Sequence, residues 1–244
     1  MKNGSVCIIV PCHNEGGCIE KTLQDLRGHC PEVWITVVND ASTDRTAAIV
    51  REYQKRMQRL VLLELPINLG IGGAMQTGFR FAARHEFQYA VKFDGDGQHP
   101  ADRISALLEP LERGEADLAI SSRFLKHDGF QSTPLRRMGI AFFRCLNSLL
   151  IRQTITDNTS GFRAYNHKAL EFAAEYYPSF DYPEPEEVVL FARNGFRLTE
   201  VPVAMRERQG GCSSINCRRA MYYMCKVGFS VIMAALRPRE KRNG

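Results

Sequence analysis

The sequence contains no apolar run long enough to cross a bilayer. Its longest one extends from Val227 to Leu236, whereas a membrane-spanning helix needs about 20 predominantly apolar residues. No secretory signal precedes the first apolar segment, which begins at Val6. We therefore predict a cytoplasmic protein that does not cross a membrane by itself.

The eight cysteines lack the arrangement of a zinc site or of a disulfide framework. Cys212 and Cys217 are close in the sequence, but no second close-spaced pair accompanies them as a zinc site requires. Cys7 lies in an apolar, strand-like run, and a cytoplasmic protein keeps its thiols reduced. We predict that all eight cysteines are free thiols.

Acidic residues are nearly absent from the C-terminal segment 218–244. It carries seven basic residues and one acidic residue, in a chain whose net charge is only +5. Residues 218–236 also have the spacing of an amphipathic helix. Its apolar side is predicted to hold Met221, Met224, Val227, Val231 and Met233. Two interpretations stay open: the helix packs on the body of the protein, or it lies on the inner membrane surface with its basic tail. We expect no nucleic-acid partner.

The chain also has no internal repeat and no low-complexity linker, so we predict one compact domain. In its first half, apolar runs typical of buried strands alternate with segments of helical spacing. This alternation predicts an α/β fold with a Rossmann-like, doubly wound, mostly parallel sheet and helices on both faces. The predicted strands are 6–10, 33–38, 61–65, 89–93 and 117–122, and the predicted helices are 17–26, 43–58, 73–85 and one that begins near 100.

The second half is less regular. Helices are predicted at 134–151, from about 167, and after the proline-rich stretch 182–186 as far as 194. A strand is predicted at 196–205, and the polar residues around 157–163 are predicted to form a loop. In the first half, Ser42 or Thr43 is placed to cap the second helix.

Polar residues follow each of the first four predicted strands. Because ligands bind at the carboxyl ends of strands in doubly wound sheets, these residues are expected to share one edge. Such a spread of polar groups suits a nucleotide with a diphosphate and a sugar. The four sets are 11–15, 39–42, 68–73 and 94–96.

Asp94 and Asp96 stand one residue apart at the end of an apolar strand. In extended backbone, residues i and i+2 point the same way, and Gly95 and Gly97 add no bulk, so a ligand can approach the backbone closely. Two carboxylates suit Mg²⁺ or Mn²⁺. An ordinary Asp-Gly turn is the alternative.

Six motifs together resemble the family-2 glycosyltransferases, which have the GT-A fold. They are IVPCHNE at 9–15, VNDASTD at 38–44, NLG at 68–70, DGDGQHP at 94–100, SGFR at 160–163 and GGCSS at 210–214. The likeness covers residues 6 to about 215 and is to the subgroup around dolichyl-phosphate mannose synthase and bacterial polyprenyl-phosphate glycosyltransferases. It implies a catalytic domain at 1–217, with a nucleotide-sugar-binding half (1–125) and an acceptor half (126–217), followed by the helix and tail at 218–244.

The resemblance also implies roles on the donor side. Asp40 is expected to hydrogen-bond the nucleobase, Asp94 to lie near the ribose and diphosphate, and Asp96 to bind the metal with Gln98 as a helper. The glycine-serine segment that contains Ser213 suits a loop that closes over a diphosphate. The implied donor-binding set is Pro11, Asn14, Glu15, Asp40, Gly70, Asp94, Arg123 and Ser213. For some members a plainer role stays open: a solvated carboxylate for Glu15, a helix cap for Asp40 and a turn for 68–70.

The acceptor is the open question. A sugar hydroxyl needs a general base, whereas a polyprenyl phosphate is already an anion and needs cationic positioning. The adjacent Glu-Asp pair that many family members use as base does not occur here. The candidate bases are Asp157, Glu184 and Glu186, and the candidate phosphate-binding arginines are Arg123, Arg137, Arg163, Arg206 and Arg208. The segment 210–214 also departs from the Gly-Glu-Ser-Lys-like pattern of the dolichyl-phosphate enzymes.

The sequence therefore predicts an inverting, metal-dependent glycosyltransferase that acts in cell-surface glycan synthesis. Its donor is a nucleotide-diphospho-sugar, and its acceptor is a polyprenyl phosphate or, as an alternative, a hydroxyl of a surface polysaccharide. A small membrane protein is a possible partner. A sugar nucleotidyltransferase is the rival from another class, but its glycine-rich, lysine-bearing loop after the first strand is absent. A non-catalytic sugar-nucleotide sensor is a further rival, against which the donor-side carboxylates argue.

Overall fold

The structure is a computed structural model that describes residues 5–125, 134–178, 182–206 and 217–239. Its strands are β1 (Val6–Cys12), β2 (Trp34–Asn39), β3 (Leu60–Glu64), β4 (Tyr89–Lys92), β5 (Leu118–Ser122), β6 (Arg163–Asn166) and β7 (Leu198–Pro202). They form one sheet in the order β3-β2-β1-β4-β6-β5-β7. All neighbouring strands are parallel except β6, which is antiparallel to both β4 and β5.

Helices cover both faces of this sheet. They are α1 (Ile19–His29), α2 (Thr46–Gln54), α3 (Gly70–Arg84), α4 (Ile104–Glu112), α5 (Pro134–Ile151), α6 (His167–Tyr176), α7 (Glu184–Arg193) and α8 (Cys217–Leu236). Alternate residues of β1 point to opposite faces: Ile8 packs in the core under α1, α2 and α4, whereas Ile9 packs in the core under α3, α6 and α7. The predicted α/β architecture is confirmed.

The close packing of α3 on β1 depends on a glycine. A Cβ atom on Gly78 would lie 2.3 Å from Cγ2 of Ile9, which is far inside van der Waals contact. The helix therefore approaches strand β1 more closely than any larger residue at position 78 would allow. This contact holds the beginning of α3, and with it Gly70, near the end of β1.

Two local predictions are wrong. Strand β6 was not predicted, because its four residues begin with a charged arginine and follow a polar motif, so they lack the apolar pattern of a buried strand. Helix α2 begins at Thr46, so neither Ser42 nor Thr43 caps it. The N-cap is Arg45, and Asp44 just before it accepts a hydrogen bond from the Thr46 amide through Oδ1 at 2.9 Å.

Helix α8 packs on α5 and α7 through a third apolar cluster. Val227, Val231, Ala234 and Ala235 are buried there against Phe143 and Val189, so packing on the body is confirmed. The predicted apolar side is partly wrong, because Met233 points away from this cluster and is 43% exposed. Among the described residues, no helix has the length and apolar character needed to span a bilayer.

Candidate functional site

A cleft of about 450 Å³ opens at the carboxyl ends of β1, β2, β3 and β4. All four predicted sets of polar residues contribute to its wall, because parallel strands end at the same edge of the sheet. The lining residues are Pro11, Cys12, His13, Glu15, Asp40, Asn68, Gly70, Ile71, Ala74, Asp94, Gly95, Asp96, Tyr182 and Glu184. The structure therefore brings together Pro11, Glu15, Asp40, Gly70, Asp94 and Asp96 as the sequence predicted.

Asn14 is placed differently from the prediction. It has a left-handed φ of 58°, and its Oδ1 accepts hydrogen bonds from the amides of Thr43 at 2.8 Å and Asp44 at 3.3 Å. Its own amide donates to Oγ of Ser42 at 2.9 Å. Asn14 does not line the cleft; it fastens the loop after β1 to the loop after β2, and so supports the wall from behind.

Asp40 both lines the cleft and organises it. Its Oδ1 accepts a hydrogen bond from the Leu69 amide at 2.7 Å, which ties the end of β2 to the beginning of α3. Nδ1 of His13 lies 2.6 Å from the Asp40 carbonyl oxygen, and the Asn68 amide group lies 3.1 Å from the same nitrogen. These contacts fix the relative positions of three separate loops.

The loop 94–99 folds back on itself through His99. The Asp94 amide donates to Nδ1 of His99 at 2.9 Å, and Nε2 lies 3.3 Å from Oδ2 of Asp94. Because Nδ1 accepts, Nε2 carries the proton of a neutral ring. Burial lowers the pKa of His99 to about 3, although the charge of Asp96 opposes that change. His99 therefore supports the loop from within, with Nδ1 occupied by the Asp94 amide.

Two glycines allow close contacts around Asp94. A Cβ atom on Gly161 would lie 3.0 Å from Oδ2 of Asp94, and one on Gly95 would lie 2.8 Å from Sγ of Cys12. The space beside Gly95 is therefore filled by the protein. Gly95 itself still lines the cleft, so the approach of a ligand to its backbone stays a prediction.

The two aspartates of the pair have different surroundings. Asp96 is 8% exposed, and its Oδ1 accepts the Gln98 amide at 3.0 Å. Both Asp94 and Asp96 line the cleft, whereas Gln98 lines a neighbouring pocket. Within the described ranges, no three His, Cys, Asp or Glu side chains converge as a metal cluster. Two carboxylates fit Mg²⁺ or Mn²⁺, which typically take one or two protein carboxylates together with phosphate oxygens and water.

The cleft is strongly acidic. Among the described residues that line it are five carboxylates and neither a lysine nor an arginine: Glu15, Asp40, Asp94, Asp96 and Glu184. A diphosphate placed there without a cation would meet like charge from all five of these carboxylates. The composition of the wall thus fits a site that takes its anionic ligand together with a divalent metal ion.

A smaller pocket, of about 70 Å³, shares Asp94 with the cleft but contains two arginines. It is lined by Asp94, Gln98, His99, Arg123, Thr159, Ser160, Gly161, Met205 and Arg206. Nη1 of Arg206 donates to Asp25 at 2.8 Å, and the Arg206 amide donates to the Gln98 carbonyl. The two cavities therefore meet at one carboxylate and differ in charge.

Asp157 holds Arg123 in this pocket. Two oxygens of the fully buried Asp157 accept from Nε and Nη2 of Arg123, each at 2.7 Å. Glu200, which sequence reasoning missed, accepts from the Asp157 amide and fixes the loop from behind. Burial alone would lower the pKa of Arg123, but Asp157 outweighs it and raises the pKa. The prediction of Asp157 as a catalytic base is wrong for this arrangement, because the carboxylate is enclosed and bound to a guanidinium.

Arg163 is likewise not a phosphate-binding residue. It is fully buried and lies 3.0 Å from Glu187 in an ion pair. Its Nη2 donates to the carbonyl oxygens of Asn158 and Glu184, and Tyr165 donates to Glu187 at 2.6 Å. Arg163 thus joins the loop that lines the smaller pocket to the beginning of α7.

A second buried ion pair lies at the wall of the cleft. Nζ of Lys92 is 2.5 Å from Oε1 of Glu184, and the lysine side chain has no exposed surface. Burial would raise the pKa of Glu184, but Lys92 and Arg163 outweigh it and lower the pKa. Sequence reasoning missed Lys92 and Glu187, although a lysine inside an apolar strand is a signal that a buried partner is needed.

Glu186 lines neither cavity. It follows Glu184 by two residues on α7, so it points to another side of the helix, and it is 9% exposed. Burial raises its pKa, and Arg237 of α8 opposes that change. Its predicted role as the base is therefore not supported by its position. Ser213, Arg208, the segment 210–214 and the side chain of Arg137 lie outside the described residues.

Solved structures of similar fold place the chain in the GT-A class. Glucosyl-3-phosphoglycerate synthase from Mycobacterium tuberculosis, crystallised with Mn²⁺, uridine-diphosphate-glucose and phosphoglyceric acid, matches with a TM-score of 0.72 at 16% identity. The match covers 97% of this chain and 82% of that one. S. aureus TarS 1–349 matches with a TM-score of 0.62 at 17% identity, over 97% of this chain and 67% of that one. These likenesses show the fold.

Sequence comparison identifies the family. The chain belongs to glycosyltransferase family 2, because residues 7–172 match the family model described as "Glycosyl transferase family 2". Polyprenol monophosphomannose synthase of Mycolicibacterium smegmatis is 31% identical over 228 residues, covering 91% of this chain and 86% of that protein. Undecaprenyl-phosphate mannosyltransferase of Micrococcus luteus is 30% identical over 215 residues, covering 86% and 87%. The predicted family and its subgroup are confirmed, and the protein is a glycosyltransferase.

Proposed function

We propose that this glycosyltransferase moves a sugar from a nucleotide-diphospho-sugar to the phosphate of a polyprenyl phosphate, with inversion at the anomeric carbon. The observation that carries the proposal is the pair of cavities that meet at Asp94. One is acidic and large enough for a nucleotide sugar with its metal ion, and the other presents Arg123 and Arg206. Relatives named for polyprenol and undecaprenyl-phosphate mannosyl transfer support the same acceptor class.

On the donor side, Asp96 and Asp94 would hold Mg²⁺ or Mn²⁺, and Gln98 remains a possible helper. A cation bound there supplies positive charge against the diphosphate as the glycosidic bond breaks. The acidic wall supports a role for that cation, because within the described chain no lysine or arginine lines the cleft. Pro11, Glu15 and Gly70 would border the nucleotide, with Asp40 toward its base, and Ser213 stays a candidate for a closing loop.

On the acceptor side, the anionic phosphate would bind Arg123 and Arg206. A phosphate oxygen attacks without losing a proton, so this reaction needs no general base. The positions of Asp157, Glu184 and Glu186 favour that reading: the first is bound to Arg123, the second to Lys92, and the third lies outside both cavities. A single direct displacement of the leaving diphosphate by the acceptor phosphate, with no covalent intermediate on the protein, would give inversion.

The direct test is a product assay with Mn²⁺, a panel of labelled nucleotide sugars, and either polyprenyl phosphate or a soluble saccharide. We expect free nucleoside diphosphate and a sugar-phosphate lipid with inverted anomeric configuration, and we expect chelation of the metal to stop both. Transfer only to the saccharide would overturn the lipid-phosphate acceptor. Release of pyrophosphate would instead support a nucleotidyltransferase.

An exposed apolar surface on α5 and α8 supports a position at a membrane. Four of its residues recur at helical spacing on α8, on the side opposite the buried cluster. Its residues on α8 are Phe229, Ile232, Met233 and Leu236, and Phe142 and Leu149 are exposed on α5, which packs beside α8. Lys226, Arg237 and Arg239 flank it on the same helix or just after it. Apolar side chains with flanking cations suit the surface of an anionic bilayer, where a lipid-linked acceptor resides.

We expect the protein to cosediment with vesicles that contain anionic phospholipid and to bind neutral vesicles much more weakly. The double variant Phe229→Ser and Leu236→Ser should reduce vesicle binding by about tenfold or more, since it removes apolar area that enters the interface. Its melting temperature should stay near that of the wild type, because both side chains are exposed. Equal binding of the two proteins to anionic vesicles would refute the membrane surface. The remaining predicted partner is a small membrane protein. If this protein is required, vesicles that lack it should not bind the glycosyltransferase, and vesicles that contain it should.

A further inference from the structure

The buried pair of Lys92 and Glu184 places one charged oxygen acceptor in the wall of the donor cleft. Lys92 has no exposed surface, whereas Glu184 keeps 13% of its side-chain surface exposed and lines the cleft. The hydroxyl of Tyr177 lies 3.3 Å from the lysine nitrogen on its protein side. The ammonium group of Lys92 therefore lies behind the Glu184 carboxylate. Of this pair, a ligand in the cleft would contact only the carboxylate.

The carboxylate is held rigidly. The backbone carbonyl oxygen of Glu184 accepts a hydrogen bond from Nη2 of Arg163 at 3.1 Å. The carbonyl oxygen of the next residue, Pro185, accepts one from the side-chain amide of Asn147 at 3.0 Å. Lys92 keeps Glu184 ionised at neutral pH, so the group accepts hydrogen bonds and is a weak base. A fixed, ionised acceptor is suited to recognising hydroxyl groups rather than to removing protons.

Tyr182 stands beside Glu184 in the same wall. Its side chain is 43% exposed, and its φ of 60° lies in the left-handed region, which an aromatic residue rarely adopts. Such backbone strain persists where the surroundings enforce it, and it is concentrated at binding sites. An aromatic face next to a carboxylate offers apolar contact for the C–H side of a sugar ring and acceptors for its hydroxyl groups.

We propose that Glu184, positioned by Lys92 and accompanied by Tyr182, recognises the hydroxyl groups of the donor sugar and selects a neutral hexose over an acidic sugar. The proposal rests on the proposed glycosyl transfer and names the sugar class for it. The ionised carboxylate of Glu184 supports the selection, because a carboxylate on the sugar would meet like charge there, whereas the metal ion proposed at Asp94 and Asp96 offsets the charge of that pair.

The test compares wild type and Glu184→Gln on nucleotide-diphosphate hexoses, their singly deoxygenated analogues and the corresponding hexuronate donor. For the wild type we expect kcat/KM to fall about 10- to 100-fold when one particular hydroxyl is removed, and about 100-fold or more with the hexuronate. With the complete hexose, kcat/KM of Glu184→Gln should be lower than that of the wild type by a similar factor. Removal of the same hydroxyl should lower kcat/KM of the variant only slightly further. The ratio of kcat/KM for the hexose to that for the hexuronate should be smaller in the variant than in the wild type. Glu115→Gln, an exposed change before β5 at the opposite edge of the sheet, serves as the matched control.

Binding of the nucleoside diphosphate with Mn²⁺, measured by titration calorimetry, separates the two proposals. Similar affinity in wild type and Glu184→Gln, together with the loss of discrimination, supports the role of Glu184. If the variant loses the same factor with every donor, or wild type accepts the hexuronate equally well, Glu184 does not select the sugar. If wild type binds no nucleoside diphosphate and transfers no sugar, the proposed function itself fails. Should Glu184→Gln not fold, the wild-type donor series alone still decides the preference for a neutral hexose.

Discussion

Replacement of Asp96 by Asn is expected to reduce sugar transfer by about 10³-fold or more while leaving the fold intact. Asp96 lines the acidic cleft with Asp94, and the substitution removes one of the two carboxylates that would hold the metal ion. Without that ion, the diphosphate would face the remaining four carboxylates of the wall uncompensated. The side chain of Asn can still accept the Gln98 amide, so the local turn should persist.

The measurement is the rate of nucleoside diphosphate release over a range of Mn²⁺ concentrations, with the melting temperature as a check on folding. Glu115→Gln is a suitable control, because Glu115 is exposed and lines neither cavity. If Asp96→Asn keeps more than a tenth of the wild-type rate at saturating metal, the assignment of Asp96 to the metal is wrong.

A variant of Arg206, such as Arg206→Met, should instead raise the KM for the lipid acceptor and leave the metal dependence unchanged.

Replacement of Arg163 by Met is expected to lower the free energy of unfolding by about 3–5 kcal/mol. The ion pair with Glu187 has no exposed surface on either side chain, so removing the guanidinium leaves a charge buried and uncompensated. Hydrogen bonds to the Asn158 and Glu184 carbonyls are lost as well. Since a domain is typically stable by about 5–15 kcal/mol, this single change should bring the protein close to its unfolding threshold.

Denaturant unfolding of three variants tests this expectation. Arg51→Met removes an exposed ion pair with Glu64 and should cost about 0–1 kcal/mol. The double variant Arg163→Met and Glu187→Met should recover much of the loss, because no unpaired charge then remains in the core. If Arg163→Met alone lowers the free energy of unfolding by less than about 1 kcal/mol, the buried ion pair does not stabilise the fold as expected.

The buried pairs also connect the two halves of the site. Arg163 reaches the carbonyl of Glu184 at the beginning of α7, while Gly161, two residues earlier, lies against Asp94. The loop that lines the arginine pocket and the helix that lines the acidic cleft are thereby joined by one side chain. This arrangement explains why a motif that resembles a ligand-binding loop contains an arginine that touches no ligand site.

The donor side of the site was predictable from sequence to a large extent. Strands β1 to β4 are parallel and buried, so their apolar runs are continuous, and the polar residues after each run share an edge by topology. For that reason Pro11, Glu15, Asp40, Asp94 and Asp96 were placed correctly. Asn14 was not, because a polar residue in such a loop can face the ligand or the neighbouring loop, and spacing does not distinguish the two.

The acceptor side was much less predictable. Asp157, Glu186 and Arg163 were chosen as charged residues near motifs, but whether a charged side chain meets a ligand depends on which partner the fold brings to it. Asp157 meets Arg123, Arg163 meets Glu187, and Glu184 meets Lys92, at sequence separations of 34, 24 and 92 residues. Strand β6 was missed for a related reason, since its arginine is neutralised in the core by a helix that comes later in the chain.

By itself, the sequence determined the family, the doubly wound sheet and the location of the acidic cleft, because these follow from local periodicity and from motifs within single loops. The tertiary structure decided which charges are enclosed in pairs and which face a ligand. The physical reason is that a buried charge persists only beside an opposite one, and that partner is supplied by a distant segment. Asp94 shows both levels: its strand end follows from the sequence, whereas its position between an acidic cleft and an arginine-lined pocket follows only from the fold.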